Sequence, residues 1–278
     1  MENESILDYV IHNDKICSVN EVNLIEELKK PSIYEVIRII DGIPLYLEEH
    51  LERFRKSARL TGIKITKTDE EIVNKIYELI KINKEYNLNI KILFNNSLHG
   101  KGNIYFYFVK SFYPLKTMYK KGIHTIFYRT ERENPNAKTA NKELRELIAR
   151  AREKEKAFEA LLVNSKDQIT EGSRSNIFFV KNGKLHTPPS EKVLLGVTRT
   201  KVVELSKLNN IDLIEKDILV DDITKYDGAF ITGTSINVLP IKSIDKTILN
   251  SQNNDLVKHI MGIYEQDMKN YINTRKEL

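Results

Sequence analysis

Apolar positions change their spacing several times along this chain, and each change marks an element. The run Tyr34-Glu35-Val36-Ile37-Arg38-Ile39-Ile40 reads as extended, and Asp41-Gly42 is a turn signal leading into a second extended run, Ile43-Pro44-Leu45-Tyr46. Together they predict an antiparallel hairpin. Leu47, Leu51, Phe54 and Ala58 then recur at the three- and four-residue spacing of one helix face, with His50 and Arg53 on a neighbouring face. A second amphipathic helix is expected over 69–84, its stripe formed by Ile72, Ile76, Leu79 and Ile80, before strands resume at 90–94 and 104–109. Strands, two helices and strands again make an α+β layer.

From Tyr113 to Lys121 the periodicity stops and Pro114 intervenes, which predicts a linker, a second domain opening near Gly122, and domains of 1–118 and 119–278. The second part predicts a helix over 142–157 on Leu144, Leu147, Ile148 and Ala151. Short strands follow at 160–163, 176–180 and 184–187, the last two joined by the turn signal Asn182-Gly183. A helix over 198–208, strands at 211–215 and 229–232, and a terminal helix over 255–274 complete an α/β pattern.

Composition narrows the classes. With 278 residues, 41% of them hydrophobic and 30% charged, the chain can bury a globular core. The net charge of +5 is spread through mixed runs such as Lys142-Glu143-Leu144-Arg145-Glu146, the pattern of a solvated helix face, so no nucleic-acid partner is expected. Cys17 is the one cysteine, which rules out an intrachain disulfide and a Cys-rich metal site, and no metal is expected. The acidic start Met1-Glu2-Asn3-Glu4 and the lack of any apolar run near ~18 residues predict a cytoplasmic protein with no membrane segment.

Five places could carry chemistry, and each also has an ordinary structural reading. Lys138, in Pro135-Asn136-Ala137-Lys138-Thr139-Ala140-Asn141, stands where an irregular segment meets a helix, as a lysine that a ligand can reach or as a solvated lysine. Glu171, in Thr170-Glu171-Gly172-Ser173-Arg174-Ser175-Asn176, precedes a buried-looking strand, as a held acid or a turn carboxylate. Gly196-Val197-Thr198-Arg199 opens a helix and offers free amides and a hydroxyl to an anion, or Thr198 simply caps it. Gly233-Thr234-Ser235 follows an apolar strand and offers the same groups, or is a plain hairpin turn. Arg53 has the planar fork that suits a phosphate, or is a surface arginine.

The order of these segments resembles the class IV pyridoxal-phosphate aminotransferases, the family of branched-chain and D-amino-acid aminotransferases and aminodeoxychorismate lyases. The likeness runs from about residue 8 to 245 and rests on Tyr34-Glu35-Val36-Ile37-Arg38, Leu47-Glu48-Glu49-His50-Leu51-Glu52-Arg53, Lys138 with Asn141, Thr170 to Asn176, Thr187-Pro188-Pro189, Gly196 to Arg199 and Gly233-Thr234. It implies two α/β (α+β) domains with pyridoxal 5'-phosphate between them, the Schiff-base lysine in the C-terminal domain, and a homodimer. Lys138 would be that lysine and the proton-moving base, and Glu171 would keep the pyridine nitrogen protonated. Arg53, Val197, Thr198, Thr234 and Ser235 would hold the phosphate. Tyr34, Arg38 and Lys91 would face the substrates, an amino acid and a 2-oxo acid.

The chain also departs from the family. Glu143 stands five residues after Lys138, where branched-chain enzymes carry a tyrosine. Phe94-Asn95-Asn96 stands where D-amino-acid enzymes carry Arg-Gly, and Lys30-Pro31-Ser32 replaces the usual Gly-Asp-Gly. Lys91 or Lys110 could supply the missing positive charge, or either could be a solvated strand lysine. The activity implied is transamination of branched-chain L-amino acids or D-amino acids, and the alternative is a lyase of the aminodeoxychorismate type that releases pyruvate.

Overall fold

The computed structural model describes residues 3–28, 30–95, 102–131, 135–139 and 142–277. Asn96, Ala140 and Asn141 lie outside the described residues. The chain divides into two compact units, one of Met1–Phe112, Ala137–Lys142 and Asn270–Leu278, the other of Tyr113–Asn136 and Glu143–Lys269.

The first unit contains β1 (Tyr9–His12), β2 (Lys15–Ser18), α1 (Leu24–Glu27), β3 (Ser32–Ile40), β4 (Ile43–Pro44), α2 (Leu47–Leu60), α3 (Asp69–Asn83), β5 (Asn89–Asn95) and β6 (Asn103–Val109). Its sheet has the order β2-β1-β6-β5-β3-β4. Alternation along β3 divides its side chains between two faces. Ile33, Ile37 and Ile39 join Leu51, Phe54, Ile72, Ile76 and Leu79 in a core under the two helices, while Tyr34 packs on the other side with Leu93, Tyr105, Tyr107 and Leu24. Burying one such side chain as fully as Phe54 contributes roughly 1.5–3 kcal/mol. Thr68 and Glu71 form a reciprocal capping box that starts α3, and the last residues of α2 close on Thr61.

The second unit contains α4 (Lys116–Lys121), β7 (Ile123–Arg129), α5 (Lys142–Lys154), β8 (Glu159–Val163), β9 (Gln168–Gly172), β10 (Asn176–Lys181), β11 (Lys184–Thr187), α6 (Val197–Leu208), β12 (Leu213–Glu215), β13 (Ile218–Leu219), β14 (Gly228–Gly233), β15 (Asn237–Ile244), β16 (Thr247–Ile248) and most of α7 (Asp255–Lys276). The sheet runs β12-β11-β10-β14-β15-β7-β8-β9-β13, with β16 on β15. The β15–β7, β7–β8 and β11–β12 pairs are parallel and the rest antiparallel.

Several expectations change. The N-terminal stretch of the first unit runs to Phe112 rather than 118, and α4 occupies the stretch read as a linker. Lys138 does not fall with the C-terminal part. Its segment extends the sheet of the first unit, since the Tyr34 amide donates to the Lys138 carbonyl at 3.1 Å and Ile33 pairs with Thr139. The end of α7 returns to the first unit too, because the Tyr271 hydroxyl donates to Glu48 at 2.7 Å and accepts from the Leu47 amide at 2.9 Å. Of the expected stripe of α5, Ile148 is buried as read, but Leu147 is exposed. No strand is expected over 237–244, where β15 runs with Pro240 opposite Phe230 of β14.

Gly122 ends α4 at φ 70° and ψ 167°, and a Cβ there would stand 2.9 Å from the Lys242 amide nitrogen. Gly122→Ala should therefore destabilise the protein by about 1–3 kcal/mol, read as a lower urea midpoint at unchanged slope.

Candidate active site

In the first unit β3 and α2 place the functional side chains. Glu35 projects towards α2 and is fully buried. Arg53 grips it with Nε to Oε1 at 2.7 Å and Nη2 to Oε2 at 2.6 Å, and His50 Nδ1 lies 2.9 Å from Oε2. Burial works to raise the Glu35 pKa, but the Arg53 charge and the bonds from His50 and Arg53 outweigh it and hold the carboxyl at about 2. A carboxylate only accepts, so His50 carries its proton on Nδ1. Burial pushes the His50 imidazole below its usual value, against the pull of Glu35, which leaves it neutral at pH 7.

One turn beyond Arg53, the buried Ser57 hydroxyl accepts the Lys138 amide at 3.2 Å. Lys138 is thus fixed through its amide on α2 and through its carbonyl on β3. Its Nζ lies 4.9 Å from the centre of the Tyr34 ring, and Lys91 Nζ lies 4.8 Å from the same centre. Three predicted residues, Tyr34, Lys91 and Lys138, therefore meet at one aromatic ring.

Two others stand differently. Arg53 is held by Glu35 through Nε and Nη2, because a buried guanidinium needs a counter-charge. Arg38 shares the Tyr34 face of β3, four residues along it and roughly 13 Å away along the backbone at ~3.3 Å per residue. Lys91 is not a solvated strand lysine. It is buried and bonded to Glu4. Lys110, the other candidate cation, is exposed just beyond β6.

In the second unit the predicted residues are brought together by one that was quoted but given no role. Asn176 opens β10 opposite Thr232 at the end of β14, and its Nδ2 donates to the Leu194 carbonyl at 2.7 Å. The Leu194 amide in turn donates to Glu171 Oε2 at 3.1 Å. The Glu171 loop, the approach to α6 and the turn after β14 are thereby tied to each other. A Cβ on Gly196 would come within 2.2 Å of Asn176 Oδ1, so only glycine lets the chain pass this close. Gly196 is also the cap of α6 and no side chain closes that helix end, which leaves its first amides, at Val197 and Thr198, pointing outwards. Thr198 is buried, whereas Thr234 and Ser235 are half-buried in the turn closed by the Gly233–Asn237 pair. Thr232 Oγ1 is buried and unpartnered.

The loop after Glu171 has its own support. Glu159, buried on β8, accepts the Ser173 hydroxyl at 2.5 Å, the Ser175 hydroxyl at 3.1 Å and the Ala160 amide at 2.9 Å. Glu159 and the Glu35–His50 pair carry no sequence signal beyond a charged residue at an inward strand or helix position. Such a position requires a partner, but the partner cannot be named until the fold is known.

The family model for class IV aminotransferases matches residues 32–244. A Methanocaldococcus jannaschii protein that carries a provisional branched-chain-amino-acid aminotransferase name is 30% identical over 79% of this chain and 81% of its own length. The D-alanine aminotransferase of Bacillus licheniformis is 29% identical over 79% and 81%. Among solved structures, the branched-chain aminotransferase of the archaeon Thermoproteus uzoniensis with norvaline has a TM-score of 0.83 at 24% identity, covering 94% of this chain and 95% of its own. Among the described residues no helix is long and apolar enough to cross a membrane.

The Glu35 carboxylate has its pKa lowered from 4.5 to about 2, so its contribution to stability is complete above about pH 4.5 and is lost as pH falls towards 2. The loss should amount to roughly 3 kcal/mol in urea unfolding between pH 5 and pH 2. Glu35→Gln should flatten that acid limb and cost about 3–5 kcal/mol at pH 7, because Arg53 is left buried without its counter-charge.

Proposed function

The chain belongs to the class IV aminotransferases, and we propose that it uses pyridoxal 5'-phosphate bonded to Lys138 to move an amino group from an amino acid to a 2-oxo acid. The observation that carries this reading is the fixing of the Lys138 backbone at both its amide and its carbonyl, with the ammonium against the Tyr34 ring. A lysine that must attack, leave and return needs a fixed root and a mobile tip.

The donor set of the second unit suits a phosphorylated pyridine. The uncapped start of α6 and the hydroxyls of Thr198, Thr234 and Ser235 suit a phosphate, and the Gly196 passage leaves no room for a side chain there. When bound, the cofactor supplies an electron sink for the carbanion formed at the substrate Cα. Glu171, buried and oriented by the Leu194 amide, would hold the proton on the pyridine nitrogen. Lys138 would move the proton between the substrate Cα and the cofactor C4′. Arg53, held in place by Glu35, would contribute to the phosphate as well. Tyr34 would present its ring to the substrate side chain.

The amino donor is a branched-chain L-amino acid or a D-amino acid, the two classes that the names of the relatives carry. We take the working form to be a homodimer in the cytoplasm, a reading supported by the family resemblance and the lone Cys17.

An absorbance spectrum of the purified protein tests this directly. A visible band that disappears in Lys138→Ala, and that bleaches in the native protein on adding a true amino donor alone, is the expected result. Bleaching by leucine, isoleucine or valine selects the branched-chain class, and bleaching by D-alanine or D-glutamate selects the other. Pyruvate release without any oxo acid present would point to the lyase chemistry instead. A band that persists in Lys138→Ala would overturn the assignment of that lysine.

A further inference from the structure

Lys91 is an uncommon residue to find within a sheet. Its side chain is 3% exposed, so its ammonium must be paired within the protein. Glu4 supplies the pair through both oxygens, at 2.7 and 2.9 Å, and also accepts the Tyr107 hydroxyl at 2.5 Å. The segment around Glu4 is held independently, since Asn3 Nδ2 donates to the Val19 and Val22 carbonyls, Ser5 bridges to Val109 and the Ile6 amide donates to the Phe108 carbonyl. Lys91 Nζ and Lys138 Nζ lie 4.8 and 4.9 Å from the centre of the Tyr34 ring, which puts the two ammoniums less than about 10 Å apart. At that separation and an effective dielectric constant of ~20, one positive charge changes the proton affinity of the other amine by about one pH unit. The other charges around Lys138 offset each other. Glu35 of β3 and Arg53 of α2 bind one another, and His50 of α2 is kept neutral by burial, with the Arg53 and Lys138 charges adding to the effect.

We infer that Lys91 is a positioning residue that acts through Lys138, favouring its uncharged, nucleophilic form, and that Glu4 limits how far it does so. The inference rests on the aminotransferase reading, in which Lys138 must be uncharged to bond the cofactor and must take up a proton again to move it. A bare cation at this distance would favour the first state alone. A cation joined to a carboxylate acts more weakly, because the two fields oppose each other, and both states of the amine stay within reach. The influence passes through space beside the Tyr34 ring, so neither Lys91 nor Glu4 needs to touch a ligand. Burial of the pair makes the coupling stronger, since water and salt screen a buried charge least.

The test follows the titration of Lys138 in the native full chain, in Lys91→Met and in the Glu4→Gln/Lys91→Met double variant. Acetic anhydride labels only unprotonated amines, so mass spectrometry of the peptide that carries Lys138 gives its pH midpoint in protein freed of cofactor. The pH dependence of the Lys138-dependent visible band gives the corresponding midpoint in loaded protein. Lys91→Met should raise both midpoints by about one pH unit, which slows labelling roughly tenfold at a fixed pH below the midpoint. The double variant should reverse at least about half of that rise, because the carboxylate left behind by Lys91→Met is gone too. A midpoint in Lys91→Met within about 0.3 unit of native, or a double variant that keeps the whole rise, would overturn the inference. Urea unfolding at the same pH is the control, since a merely structural role lowers the unfolding midpoint without moving the titration of Lys138. If Lys91→Met does not fold, Lys91→Gln, which can still donate to Glu4, should raise the midpoints alike, and unmoved midpoints overturn the inference equally. The outcomes separate from those of the parent reading. A protein that transaminates with unmoved midpoints refutes the coupling alone. A protein with no visible band whose Lys138 labelling shifts as expected refutes the aminotransferase reading and leaves the coupling standing.

Discussion

The ion pair between Glu35 and Arg53 is the constraint on which the first unit depends. Either charge alone would cost several kcal/mol to bury, so β3 and α2 can meet only in the register that joins them. That register determines what happens on both sides of the strand. Ser57, one turn further along α2, comes to the height of the Lys138 amide, and Tyr34, next to Glu35 but facing away, presents its ring to the lysine tip. The Glu35–Arg53 pair thereby sets where the Lys138 ammonium stands.

The second unit solves the same problem with neutral groups. Asn176 bonds the approach to α6, pairs across from Thr232 and excludes any side chain at Gly196, while Glu171 accepts from the segment that Asn176 holds. An amide can do this because it donates and accepts at once, and in a dry interior each bond it completes removes a penalty of about 1–3 kcal/mol. No side chain caps the positive end of α6, so its first amides are left without a side-chain acceptor.

Much of the architecture was legible along the chain. The helices over 47–60 and 69–83 follow from apolar residues at three- and four-residue spacing, and the Asp41-Gly42 turn from the left-handed backbone both residues adopt. The reading failed where a local rule was overridden. Pro240 lies inside β15, Leu147 points to solvent from a stripe that looked apolar, and a six-residue helix fills the apparent linker. Tertiary packing decides such cases, and a short window of sequence does not contain it.

The site divides in the same way. Residue types marked Arg53, Lys138, Glu171, Thr198 and Thr234 as candidates, each beside an ordinary structural reading, and the resemblance to the family added Tyr34 and implied one chemistry for them all. Pairing was decided only by the fold. Arg53 is held by Glu35, and Lys91 by Glu4 across 87 residues of chain. Partners so distant in sequence leave no periodic trace, since the free energy that joins them arises only when the sheet has brought them together and shut out water.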